Sequence, residues 1–160
     1  MVADLKEGSG AASADPVQRS LIWRMTFPGR KDQPGIVRRE LAGVLREHPD
    51  LAEILLVASE LCTNAVVHTR SGDLGGTFDV AVTAIGEESL MVAVTDEGAS
   101  TGPRLLAPKP TQTHFRGLQV VEGLSLKYGV DGGAEGRTVW ALFAPLRQVV
   151  PCPTGRTGAC

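Results

Sequence analysis

The stretch that most constrains the fold is residues 51–69, LAEILLVASELCTNAVVHT. Its apolar residues recur at steps of three and four, which predicts an amphipathic helix with one buried face. Asp50 directly precedes the stretch and is expected to cap the free N–H groups of the first turn. We expect the remainder of the chain to be organised around this helix.

Three polar residues follow one stripe of the predicted helix, beside its apolar face. Glu60, Asn64 and His68 are four residues apart, so their side chains share one side of the helix. A carboxylate, a carboxamide and an imidazole next to a buried surface are typical of a functional site, although the solvated edge of a core helix gives the same pattern. His68 is interpreted as a C-terminal cap favoured by the helix dipole, and Cys62 as inert packing in the core.

Hydrophobic patterning predicts the other elements. Strands are expected at 21–27, 78–84, 90–94, 127–131 and 138–143, and further helices at 33–47 and 117–126. Neighbouring strands are joined as hairpins and βαβ units are few, so we predict an α+β fold. Its architecture is expected to be a two-layer α/β sandwich with a mixed, mostly antiparallel sheet and helices on one face.

The chain is expected to form one domain with two short tails. Residues 1–20 are rich in Ala, Ser, Gly and Asp, which predicts a disordered N-terminal arm. Residues 21–146 would form the domain, and residues 147–160 a flexible C-terminal tail. Residues 99–116 show no periodicity and contain three prolines, which is typical of a lid over a site or of a disordered segment.

Charge and composition exclude several classes of function. The formal net charge is −2, so direct electrostatic binding of nucleic acid is not expected. No uninterrupted apolar run reaches the roughly 18 residues that cross a bilayer, and the acidic N-terminus does not resemble a secretory signal. The three cysteines do not form a disulfide framework. A cytoplasmic protein without membrane contact is therefore expected.

Four short motifs occur in order along the chain: SELCTNAVVH at 59–68, VTDEG at 94–98, RGLQVVEGL at 116–124 and GRTVWALF at 136–143. Together they resemble the motifs of the ATP-binding domain of histidine kinases, gyrase and Hsp90, the Bergerat-type fold. Within that superfamily the chain is most similar to the small anti-sigma-factor serine kinases and their actinobacterial relatives. The resemblance covers about residues 21–143, and the first motif is the most specific of the four.

The resemblance implies a site for ATP and Mg²⁺. Asn64 corresponds to the family's Mg²⁺ ligand, which joins protein and triphosphate through a hard oxygen donor. Glu60, one turn earlier, corresponds to the general base. Asp96 corresponds to the carboxylate that accepts a hydrogen bond from the exocyclic amine of adenine, and a buried carboxylate needs such a donor. Gly98 is expected to let the backbone approach the base, although an ordinary Asp-x-Gly turn has the same sequence.

The third and fourth motifs imply contacts to phosphate and near adenine. Arg116, Gly117 and Leu118 open the predicted helix, where free N–H groups and the helix dipole favour phosphate. The family usually has glycine at the position of Phe115, and phenylalanine neither adopts a positive φ cheaply nor permits close backbone approach. Thr138 corresponds to a threonine that relatives place near the adenine-binding aspartate through water, but a β-branched residue is equally ordinary in a strand.

Two functions stay open at this point. Glu60 and Asn64 imply an ATP-binding regulatory protein of the anti-sigma-factor type, a kinase that transfers the γ-phosphate of MgATP to serine or threonine of a partner protein. Phe115 favours the alternative, a nucleotide-binding module that sequesters a sigma factor or another regulator by binding alone. The expected partner is a sigma factor, an anti-sigma antagonist-type protein, or both. Residues 21–47 fit a homodimer interface, and they fit an ordinary core equally well.

Overall fold

The computed structural model of the protein describes residues 18–87, 89–99 and 116–144, without the side chains of Arg116 and Leu118. Five strands and three α-helices follow one another in this part of the chain: β1 (Arg19–Pro28), α1 (Gln33–Val44), α2 (Leu51–His68), β2 (Thr77–Ile85), β3 (Ser89–Asp96), α3 (Arg116–Leu124), β4 (Lys127–Gly133) and β5 (Gly136–Phe143). A short 3₁₀ turn, Arg70–Gly72, links α2 to β2.

The strands form one sheet in the order β1-β2-β3-β5-β4. Each neighbouring pair is antiparallel, so the described sheet lacks the parallel pairing that a mixed sheet would have. The two hairpins β2–β3 and β4–β5 lie side by side through β3 and β5. This arrangement confirms the predicted α+β sandwich.

The helix α2 is the centre of the molecule, as predicted. It contacts the helices α1 and α3 and the strands β2, β3 and β5. Its residues Ile54, Val57 and Ala58 are completely buried, and each fully buried Val or Ile side chain contributes roughly 1.5–3 kcal/mol through removal from water. Cys62 is buried on the same face, and burial raises the pKa of its thiol to about 12. The thiol is therefore inert packing, as predicted.

Among the described helices, α2 alone is long and apolar enough to cross a membrane by length and composition, with a mean hydropathy of 1.4 over its 18 residues. Its buried residues, however, pack into a core that includes β-strand side chains such as Val80 and Val92. Packing inside the protein therefore accounts for the apolar residues on the buried face of α2.

Element boundaries differ from the predictions at several points. The strand β1 begins at Arg19, inside the predicted N-terminal arm. The helix α1 ends at Val44 because Leu45 leaves the helical region, with φ −111° and ψ 20°. Asp50 lies at the N-cap of α2, but its side chain makes no capping hydrogen bond. Residues 1–17, 100–115 and 145–160, which include most of the arm, the lid and the tail, lie outside the described residues.

His48 joins the corner between α1 and α2 to the end of β5. Its ring is buried, with 4 % exposure. Nδ1 accepts a hydrogen bond from the backbone N–H of Asp50 at 3.1 Å, so the neutral ring carries its proton on Nε2 and donates it to the carbonyl oxygen of Ala144 at 3.0 Å. One side chain thus satisfies two backbone groups that are 94 residues apart in the sequence.

We expect His48→Ala to lower the free energy of unfolding by about 2–3 kcal/mol, because it leaves a backbone donor and a backbone acceptor without their partner. His48→Asn should lose less, since its Oδ1 can replace Nδ1 as the acceptor for Asp50. Urea denaturation followed by circular dichroism measures both. Equal stability of the wild-type chain and His48→Ala would contradict the structural role of this ring.

Candidate functional site

The predicted site residues lie on different elements, and α2 contacts the others, α3, β3 and β5. The C-terminal half of α2 carries Glu60 and Asn64, β3 ends at Asp96, and α3 begins at Arg116. The end of α2 is tied to the turn after β3, because the N–H of Arg70 donates to the carbonyl oxygen of Gly98 at 2.8 Å. The fold therefore gathers residues that are far apart in the sequence.

Glu60 lies directly against the first turn of α3. A Cβ atom built on Gly117 would lie 2.7 Å from Oε2 of Glu60, and Gly117 is buried. Any larger side chain at this position would push the carboxylate away. Asn64 is half-buried, as is Glu60, and lies about 6 Å further along the helix axis on the same side. The structure thus brings a carboxylate to the N-terminus of a helix.

Asp96 is almost fully buried, with a side-chain exposure of 3 %. Its Oδ1 accepts a hydrogen bond from the N–H of Gly98 at 2.8 Å. Its Oδ2 accepts a hydrogen bond from Nε of Arg137 at 3.2 Å, and Nη2 of Arg137 lies 3.1 Å from the same oxygen in an ion pair. The expectation that adenine would satisfy this carboxylate is therefore incomplete, because the protein itself already provides donors. An ionised carboxylate has about four acceptor positions, so Oδ1 retains capacity for a ligand.

Gly98 has a positive φ of 74°, a conformation that favours glycine. A Cβ atom here would lie 2.0 Å from the carbonyl oxygen of Ala134, in the turn between β4 and β5. Sequence reasoning attributed the need for glycine to a bound base. In the structure the close approach is made by the neighbouring hairpin.

Arg70 is a residue of this region that sequence reasoning missed. Its guanidinium donates to the carbonyl oxygen of Glu97, from Nη2 at 2.7 Å, and to that of Ala134 at 2.9 Å. The N–H of Glu97 in turn donates to Oγ of Ser71 at 2.9 Å, and Oε1 of Glu97 accepts from the N–H of Thr77 at 2.9 Å. These bonds fix the turn after Asp96. They join distant parts of the chain, so no local sequence pattern predicts them.

Thr138 and Asp96 lie on opposite faces of the sheet. In the pairing of β3 with β5, Asp96 is opposite Arg137, and Thr95 is opposite Thr138. Consecutive strand residues point to opposite faces, and the hydroxyl of Thr138 lies 2.8 Å from that of Thr95. The structure does not place Thr138 next to Asp96, the position that the resemblance implies. Arg137 occupies that position. The alternative of an ordinary β-branched strand residue fits the place of Thr138 in β5.

The residues predicted to contact phosphate lie at the start of α3. Arg116, Gly117 and Leu118 are the first three residues of α3. Of these, Gly117 lies next to Glu60. Phe115, whose effect on phosphate contact depends on the backbone before the helix, lies outside the described residues. The free N–H groups of this first turn remain the groups suited to an anion.

A comparison with protein families decides what kind of domain this is. The family model described as "Histidine kinase-like ATPase domain" matches residues 27–143, which is well over half of the chain. The chain belongs to this family. The match includes Glu60, Asn64, Asp96 and Gly117, and it confirms the resemblance inferred from the four motifs.

Curated relatives of this histidine kinase-like ATPase carry the name serine-protein kinase RsbW. The protein from Bacillus pumilus is 33 % identical over 81 residues, which cover 48 % of this chain and 50 % of the relative. The protein from Bacillus velezensis is 34 % identical over 80 residues, which cover 48 % of this chain and 49 % of the relative. The aligned part thus spans about half the length of these relatives.

A solved structure has the same fold. The crystal structure of the RsbU and RsbW domains of Rv1364c from Mycobacterium tuberculosis superposes with a TM-score of 0.56 and 24 % sequence identity, covering 75 % of this chain and 32 % of that chain. This likeness supports the two-layer architecture of the histidine kinase-like ATPase.

Proposed function

We propose that the protein is a cytoplasmic regulatory kinase of the anti-sigma-factor type, which binds MgATP and transfers the γ-phosphate to serine or threonine of a partner protein. The observation that carries this proposal is the contact between Glu60 and Gly117. It puts a candidate base beside helix N–H groups that favour phosphate. The family match and the serine-protein kinase relatives support the same reaction class.

The donor set of the described residues fits MgATP. These residues contain no group of three or more His, Cys, Asp or Glu side chains that would hold a metal by themselves. Mg²⁺ with nucleotides is commonly held by one or two protein oxygens, together with phosphate oxygens and water, and the carboxamide of Asn64 offers one such oxygen. When bound, Mg²⁺ would neutralise charge on the triphosphate. Asp96 would accept a hydrogen bond from adenine through its remaining capacity on Oδ1.

The chemical role of the protein would be positioning and proton transfer. Glu60 would accept the proton of the attacking hydroxyl as it approaches the γ-phosphorus atom. The first turn of α3, with Arg116, Gly117 and Leu118, would hold phosphate oxygens through backbone N–H groups. A small domain suffices, because phosphoryl transfer depends mostly on alignment and charge stabilisation. The partner would be a sigma factor or an anti-sigma antagonist-type protein.

A second candidate function is a binding module that does not transfer phosphate. Phe115 stands where the family usually has glycine, which favours this alternative because phenylalanine neither adopts a positive φ cheaply nor permits close backbone approach to phosphate. Such a protein would sequester a regulator by binding alone. The two functions differ in whether ADP is formed.

We expect calorimetric titration with ATP to show Mg²⁺-dependent binding that Asn64→Ala abolishes or weakens at least about tenfold, because the variant lacks the metal-facing oxygen. Thr63→Ala is the matched control, since Thr63 is the exposed neighbour on the same helix. Binding of equal strength with and without Mg²⁺, or unchanged binding by Asn64→Ala, would contradict the assignment of Asn64.

A further inference from the structure

The ion pair between Asp96 and Arg137 lies where the proposed function requires a base-recognition group. The two residues are direct partners on β3 and β5. The Asp96 side chain is 3 % exposed and that of Arg137 is 18 % exposed. Arg137 is therefore held against a buried carboxylate but is still partly exposed.

The hydrogen-bonding capacity of this pair is only partly used. A guanidinium has five N–H donors in one plane and no acceptor. Nε and Nη2 both approach Oδ2 of Asp96, so Oδ1 is left with the Gly98 N–H alone among the described contacts. The pair consequently presents an acceptor position on Asp96 beside further donors on Arg137.

This order of groups is complementary to one edge of adenine. The exocyclic amine of adenine is a donor, and the adjacent ring nitrogen N1 is an acceptor. Guanine has the reverse order, with an acceptor oxygen at position 6 and a donor N–H at position 1. Guanine would therefore place its acceptor oxygen against Asp96, an acceptor, and its N–H donor against Arg137, a donor. Such pairing is costly in a site with so little exposure, because neither pair can hydrogen-bond to water instead.

We propose that Arg137 is a specificity-determining residue that donates a hydrogen bond to N1 of adenine while Asp96 accepts one from the exocyclic amine. The inference rests on the proposed nucleotide-binding function and deepens it. It assigns a direct contact to Arg137, whereas the resemblance implied only a water-mediated place near Asp96 for Thr138. It also gives the protein a means to reject guanine nucleotides.

Nucleotide analogues test this contact on the unmodified protein. The full chain is titrated with the Mg²⁺ complexes of ATP, GTP, 1-deaza-ATP, which lacks the N1 acceptor, and 7-deaza-ATP as the matched control. We expect 1-deaza-ATP to bind about 10- to 100-fold more weakly than ATP, as for loss of one charge-assisted hydrogen bond. The control 7-deaza-ATP should bind like ATP, and GTP should bind more weakly than 1-deaza-ATP.

The same titrations of two variants identify the donor. Arg137→Ala should bind ATP and 1-deaza-ATP equally, because the partner of N1 is gone. Arg137→Gln keeps a neutral N–H donor and should retain part of the difference between the two nucleotides. Thermal unfolding checks that each variant is folded, and the analogue series on the wild-type chain stands even where a variant is not.

Three different failures are distinguishable. Equal binding of ATP and 1-deaza-ATP by the wild-type chain would overturn the role of Arg137 and leave the proposed nucleotide site intact. Absence of ATP binding in the presence and absence of Mg²⁺ would overturn both the proposed function and this inference. A 1-deaza effect that persists undiminished in Arg137→Ala would assign N1 recognition to another residue.

Discussion

A Glu60→Gln variant is expected to form ADP from MgATP about 10²- to 10⁴-fold more slowly than the wild-type chain, while binding the nucleotide with similar affinity. Glutamine has nearly the same shape as glutamate but cannot accept a proton. Water serves as the acceptor in this assay, so the partner protein is not needed. Single-turnover ADP formation with protein in excess gives the rate, and calorimetry gives the affinity.

The position of the carboxylate can be tested without removing it. A methyl group at Gly117 would lie 2.7 Å from Oε2 of Glu60, and the end of this flexible side chain can rotate away. We expect Gly117→Ala to remain folded but to form ADP at least about tenfold more slowly, since a displacement of about 1 Å can cost a factor of 10² in rate. Gly123 has nothing within 4 Å of its added Cβ, so Gly123→Ala in the same helix is the control.

The outcomes separate the two candidate functions. Loss of ADP formation in Glu60→Gln and Gly117→Ala, but not in Gly123→Ala, would support the kinase. Unchanged ADP formation in Glu60→Gln would contradict Glu60 as the base. A wild-type chain that binds MgATP and forms no ADP would favour the binding module.

Gly98→Ala is expected to lower the free energy of unfolding by about 3 kcal/mol or more, the largest effect on stability among these substitutions. A positive φ costs a non-glycine residue about 1–2 kcal/mol. In addition, the new Cβ would lie 2.0 Å from the carbonyl oxygen of Ala134, and backbone of the β4–β5 turn would have to move. Urea denaturation of the wild-type chain and the variant measures the difference.

Two other glycines separate the conformational cost of a positive φ from the steric clash of the added Cβ. Gly75 and Gly86 have φ values of 81° and 59°, and nothing lies within 4 Å of an added Cβ at either position. Gly75→Ala and Gly86→Ala should therefore lose only the conformational part, about 1–2 kcal/mol. If Gly98→Ala were no less stable than Gly86→Ala, the close packing of the hairpin against Gly98 would not limit this position.

Sequence patterning identified the helices and strands because each has a long enough periodic or alternating run. It identified β5 but did not orient it, because both faces are apolar: Val139 and Ala141 point to one face, and Trp140 and Leu142 to the other. Alternation therefore does not reveal which face meets the helices. Thr138 was assigned to the site through the resemblance of GRTVWALF at 136–143 to a family motif, and alternation could not test that assignment.

Long-range contacts explain the other differences. Glu60 and Asn64 were found because one helical turn separates them, a local relation. The contact of Gly117 with Glu60 and the contact of Gly98 with Ala134 depend on how separate elements pack. Gly98 in the sequence indicated a close approach but not the approaching group, and Gly117 indicated phosphate binding but not the contact with Glu60.

The hydrogen bonds around Asp96 join segments that lie far apart along the chain. Arg137 is 41 residues from Asp96, and Arg70 is 64 residues from Ala134. Such pairs form only after the intervening loops have closed. Loop closure is slow because its entropic cost arises before the stabilising contacts have formed. A nucleotide held by Asp96 and Arg137 would therefore bind the folded domain and none of its partly folded forms. Its binding energy would stabilise the whole folded domain against unfolding.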